Sequence, residues 1–206
     1  MTDFQDTGLP ADPLVYKAYI AYTRHRRNLS PALQAKDKGL RIAQLLGVTA
    51  DADNDLLAFA LLPYVPPGNE WLIERQFSKR AAYLLEEVES CMRSGLSELP
   101  YASDSAQIYI LASIVVDMAH RLAAAKNSGM MMEETADGGV RPTEIRLIPE
   151  AGDHQMLLDS VRHKTSSPRL EELFQDTVNQ MRDARARQME MLQQMEMDAP
   201  ANKFPS

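Results

Sequence analysis

The chain has little of several things, and each shortage excludes something. It has a single cysteine, Cys91, so no internal disulfide can form, which fits a reducing compartment. It lacks a basic excess: the formal net charge is −7 and the pI about 5.1. An acidic balance disfavours nucleic acid as the main partner, because neutralising phosphates needs clustered Lys and Arg. The one basic cluster, Arg24 to Arg27, reads as the solvated end of a first helix. The N-terminus, MetThrAspPheGlnAsp, has neither the basic start nor the apolar run of a signal peptide. The longest apolar run lies around Tyr109 to Val116, short of the ~18 residues that a membrane span needs. The expectation is a cytoplasmic protein.

Catalytic signatures are also missing. There is no Walker loop, no Gly-x-Gly-x-x-Gly, no HExxH and no Gly-x-Ser-x-Gly. Gly138-Gly139 has no strong strand before it and reads as a turn. Cys91 sits late in a helical pattern and reads as a small filler rather than a nucleophile.

What is present is helical patterning. Hydrophobic residues make up 45% of 206, enough for a sizeable core. Residues 1–11 read as a loose tail. Asp12-Pro13 opens a first helix, with an N-cap carboxylate followed by proline at the first helical position. Ser30-Pro31 opens a second by the same device, and Gly47 is its natural stop. Asp53 or Asn54 caps a short apolar third helix ended by Pro63. A long fourth helix is predicted from about Glu70 to Arg93, with Trp71 on its buried stripe and Gly95 at its end. A fifth runs from Ser103-Asp104 to about Lys126. Residues 127–152 carry the glycines and prolines of a long loop with room for a small hairpin, and Ile145 to Ile148 reads as β-like. A short helix near Gln155 to His163 follows. Ser167-Pro168 then opens a last helix reaching roughly Met197. The domain reading is therefore a tail (1–11), a helical domain (12–126), a loop insertion (127–152) and a C-terminal helical extension (153–206). The fold class is all-α.

Three stretches in this order resemble the HD-domain phosphohydrolases, most of all the alarmone hydrolase domain of RelA/SpoT-type enzymes. They are Arg41 to Val48, Asp55 to Val65, and Ile73 to Phe77 followed by Ala81 to Val88. Ile114 to Leu122 is a weaker fourth match to the helix bearing the last metal aspartate. The resemblance covers about residues 33 to 126 and implies an HD-like bundle built around one divalent ion that activates water.

The ligand positions depart from that pattern. The first histidine falls near Ala35-Lys36 and the His-Asp pair on Pro63-Tyr64. The water-positioning acidic pair falls on Pro67-Gly68, and the last aspartate on His120, or on Asp117 if the register slips by a turn. Proline offers no donor atom, and neutral tyrosine is a poor ligand for a hard cation. The expectation is a pseudoenzyme with no metal and no cofactor, whose vestigial pocket is filled by side chains such as Tyr64. The alternative is a nucleotide-binding or metal-dependent phosphohydrolase using a non-standard site at Asp117 and His120. Asp153, His154 and His163 are the remaining candidates to join it, while His25 reads as an exposed histidine.

The last helix carries Met181, Met189, Met191, Met195 and Met197 with Leu192. Methionine surfaces adapt to partners. Met181, Met189, Leu192 and Met195 are therefore candidate contacts to a protein partner or a second copy. Removing residues 185–206 is expected to leave folding nearly unchanged.

Overall fold

The computed structural model describes residues 4–31, 34, 37–50, 52–62, 70–127, 131–134, 140–144, 148, 152–162 and 164–198. Among them the fold is all-α, with one small hairpin. The helices are α1 (Pro13–Arg27), α2 (Gly39–Thr49), α3 (Asn54–Ala60), α4 (Glu70–Gln76), α5 (Lys79–Arg93), α6 (Asp104–Asn127), α7 (Gly152–Val161) and α8 (Pro168–Asp198). Strands β1 (Met131–Glu134) and β2 (Val140–Glu144) pair antiparallel, Glu133 opposite Arg141. They form the hairpin for which the loop had room; Ile145 to Leu147 of the predicted β-like run lie outside the described residues.

The helix starts follow local chemistry. Asp12 Oδ1 accepts from Leu14 N at 2.8 Å and Val15 N at 3.3 Å, and Pro13 supplies the fixed φ of the first turn. Asp53 caps α3 through Leu56 N at 2.9 Å. Ser167 Oγ accepts from Leu170 N at 3.3 Å and donates to Thr49 O at 2.7 Å, so the cap of α8 also ties it to the end of α2. Helix α5 ends in a Schellman motif. Gly95 takes φ +63°, Leu96 N donates to Cys91 O at 2.7 Å and Gly95 N to Met92 O at 3.3 Å.

Six expectations need correction. The segment predicted as a loose tail is docked. Its first turn, Phe4–Thr7, stacks Phe4 edge-on against Tyr16, with ring centroids 5.1 Å apart, and Thr7 and Leu9 are buried. The second predicted helix is interrupted. A turn begins at Pro31, where Gln34 N donates to Ser30 O at 2.9 Å, but Asp37 and Lys38 leave the helix and α2 restarts at Gly39. Gly47 does not stop α2, because the helix runs on to Thr49, whose hydroxyl satisfies Leu45 O at 2.6 Å. The fourth predicted helix is two helices. Ser78 takes an extended conformation, donates to Asp55 Oδ1 at 2.5 Å and caps α5 through Ala81 N at 3.0 Å. Trp71 is 55% exposed rather than part of a buried stripe, although α4 packs against α5 and buries Ile73. Finally, Asp104–Ala124 is long and apolar enough, by composition, to cross a membrane (mean hydropathy 1.2). More than half of that stretch is buried inside the chain, as in a core helix.

Helix α6 is the central element. It packs on α2, α5 and, most extensively, α8. Leu111, Ala112, Leu170, Phe174 and Val178 are fully buried in one continuous core with Leu46 and Leu61. Burying one such Leu or Phe contributes about 1.5–3 kcal/mol before ordering entropy. Cys91 is a buried filler there, its thiol pushed up by burial and then by Glu98 and Glu87. Tyr109 packs edge-on against Phe59 at 4.7 Å, and burial raises its phenol pKa.

Candidate functional site

Of the residues singled out from sequence, Asp117 and His120 lie on α6 and Asp153 and His154 on α7. At 3.6 residues per turn, Asp117 and Arg121 share a side, with His120 beside them. Lys38, at the start of α2, forms an ion pair with Asp117. Burial lowers the Lys38 pKa, and the Arg121 charge lowers it further. Arg121 also acts on His154 of α7. Burial lowers the pKa of His154 first, Arg121 second, and Asp153 partly opposes them. His154 Nδ1 is buried with no hydrogen-bond partner among the described residues.

This neighbourhood is basic. Lys38 pairs with Asp117, Arg121 acts on both Lys38 and His154, and Asp153 is the acidic group beside His154. In this structure the Lys38 ammonium is the counter-ion of Asp117. Among the described residues no three His, Cys, Asp or Glu side chains converge as ligands. Ala35, Lys36, Pro63, Tyr64, Pro67, Gly68 and His163 lie outside the described residues, as does any pocket beside Tyr64. His25, on the last turn of α1, is half-buried rather than exposed.

A second feature lies on the opposite side of α6, and the sequence reading did not assemble it. Here Val115, Val116, Ala119 and Leu122 form the floor of an open groove of about 740 Å³. One wall is the α2 face Arg41, Gln44, Leu45 and Val48, at i, i+3, i+4 and i+7; the other is α8, through Leu173, Thr177 and Gln180. Thr7 and Gly8 close one end, and Gly8 takes φ +72° to turn the chain there. The lining is mostly apolar. Most of its polar groups are used within the chain. Gln44 Nε2 donates to Thr7 O at 2.9 Å, and the Thr177 hydroxyl to Leu173 O at 2.7 Å. The i, i+3, i+7 spacing on α2 was readable in the sequence; that a docked N-terminus and α8 would wall it was not.

The predicted contact residues divide along α8. Leu170, Phe174, Val178 and Met181 are fully buried, so Met181 is a core residue of this chain and not an exposed contact. Its spacing from Val178 keeps it on the docked stripe. Further along, Met189 and Met191 are 39% and 44% exposed, and Leu192 is partly exposed. The backbone of Met195 continues the helix; its side chain lies outside the described residues. Between the two regions, α8 holds the incoming chain. Arg185 Nη1 donates to Ile148 O at 2.5 Å, and Ile148 N donates to Gln188 Oε1 at 3.0 Å. Ile148 itself is buried.

Comparison with protein-family models, with curated proteins and with solved structures finds no match to this chain.

Proposed function

We propose that this chain is a non-catalytic, HD-like helical module that acts by binding another protein, with the distal half of α8 as its contact element. One observation carries the reading. A single 31-residue helix buries the stripe Leu170, Phe174, Val178 and Met181 in its first half and then, beyond Gln188, presents Met189 and Met191 to solvent. A helix docked at one end and carrying exposed methionines at the other is pre-organised for docking, so less ordering entropy is lost on association. The ammonium of Lys38 on Asp117 supports the non-catalytic part, because a divalent cation would have to displace it. The HD-like part rests on the residue matches at 41–48, 55–65, 73–77 and 114–122.

The test is association against concentration. Light scattering and crosslinking of the full chain are compared with Met189→Glu/Met191→Glu. The expected outcome is loss of self-association or of a crosslinked partner, with the melting temperature unchanged. A wild-type chain that stays monomeric and captures the same partners as the variant would defeat the reading.

One observation favours a second reading, in which the Asp117 and His120 face binds a nucleotide. Lys38, Arg121 and His154 give that face the charge that phosphate oxygens need. Titration with ATP and GDP, with and without Mg²⁺, decides it: saturable binding abolished by Arg121→Gln is the expected result.

A further inference from the structure

We infer that the groove between α2, α6 and α8 binds a free fatty acid, with the acyl chain along the α6 floor and the carboxylate on Arg41. The argument begins with what the groove leaves unsatisfied. Val48 is 63% exposed although it stands in the apolar wall, and Leu45 and Leu173 are only partly covered. They stand above the largely buried Val115, Val116 and Leu122, which form the apolar floor of the groove. Its volume lies in the range of roughly 300–1,000 Å³ typical of small-molecule sites. Water against such a surface is released when an alkyl chain covers it.

Most of the polar lining is already engaged within the chain. The Gln44 amide nitrogen and the Thr177 hydroxyl already donate within the chain, so they do not call for a polar ligand body. Arg41 is exposed and has no carboxylate partner among the described residues. Gln180 stands on the opposite wall, also exposed. An apolar trench with one guanidinium at its edge is complementary to a molecule with a long apolar part and one anionic end. Guanidinium and carboxylate match as a bidentate pair. A nucleotide or a sugar phosphate would instead leave polar atoms unpaired against Val115, Val116 and Leu122.

The experiment uses the full chain and three probes: monomeric dodecanoate below its micellar concentration, the uncharged dodecanol, and vesicles of phosphatidylglycerol. Isothermal titration should show dodecanoate saturating at about one per chain. Arg41→Gln should weaken dodecanoate by about tenfold and leave dodecanol unchanged, the loss expected of one charge-assisted contact. Ala119→Phe fills the floor from an exposed position and should abolish both. Ala123→Phe, also exposed and in the groove, replaces it if circular dichroism shows that Ala119→Phe does not fold. The inference is overturned by dodecanoate that fails to saturate, by an Arg41→Gln chain that binds it as tightly, by binding that survives the filled floor, or by binding to vesicles alone.

Discussion

Lys38, the residue that precedes α2, pairs with Asp117 in the middle of α6. The pair fixes the start of α2 against the central helix and uses the carboxylate that a metal would have needed. Both side chains are partly exposed, at 27% and 41%, so solvent screens the attraction and its worth is about 0.2–1 kcal/mol. Asp117→Asn leaves Lys38 beside Arg121 with no counter-charge. A double-mutant cycle with Lys38→Met, read by urea unfolding, should give a coupling energy within that range. A coupling of zero would mean that packing alone joins these helices.

The clamp on Ile148 changes where the chain can be cut. The bonds from Arg185 and Gln188 to the Ile148 backbone divide the segment 185–206, expected to be dispensable for folding, into two parts. Truncation after Gln188 should leave the melting temperature nearly unchanged while removing Met189, Met191 and Leu192. Truncation after Ala184 strands the buried backbone groups of Ile148 and should cost about 1–3 kcal/mol. Equal melting temperatures for the two truncations would show that the clamp contributes nothing.

Gly39 sits where the first turn of α2 crosses the end of α3. A Cβ there would meet Ala60 O at 2.9 Å and the Tyr22 ring at 3.1 Å. Replacing glycine in a helix by alanine ordinarily gains about 0.5–1 kcal/mol. Here the backbone carbonyl cannot yield without moving α3, so Gly39→Ala should lose about 1–3 kcal/mol instead. The sign of the change in thermal unfolding decides the matter.

Protonation of His154 should destabilise the fold. Its folded pKa lies below the ordinary value of 6.5, first because of burial and then because of Arg121. A depressed histidine holds its stabilising contribution above the unfolded pKa and loses it as pH falls through the folded one. The melting temperature should therefore drop as pH falls below about 6.5, and His154→Phe should flatten that part of the profile. Identical slopes for the two proteins would contradict the assignment.

Tyr22 gives the complementary dependence at alkaline pH. Burial, and then the charge of Asp37, push its phenol up to about 12 from 10.0. A raised folded pKa keeps its stabilisation below the unfolded value and loses it as pH rises. Stability should thus fall between pH 10 and 12, and Tyr22→Phe should remove that component. Melting curves across that window provide the measurement.

The sequence by itself determined the ends of the helices wherever the decision is made within one turn. Asp12-Pro13, Asp53, Ser167-Pro168 and Gly95 all act on backbone groups within about four residues, so their chemistry needs no distant partner. It determined the all-α class for the same reason: the apolar spacing of α1, α3, α5 and α6 is local. Tertiary structure decided what depends on residues far apart in the chain. Ser78 could cap a helix from sequence, but Asp55, 23 positions earlier, is what holds it extended and splits the predicted helix in two. Met181 and Met189 read alike in sequence; only the position of α6 makes one a core residue and leaves the other exposed. The groove exists because Thr7 and Gly8, α2 and α8 converge on one face of α6, while Asp117 was turned to the other face by the same helix. No local rule could place those walls, since each comes from a different part of the chain and is fixed by the packing of the whole.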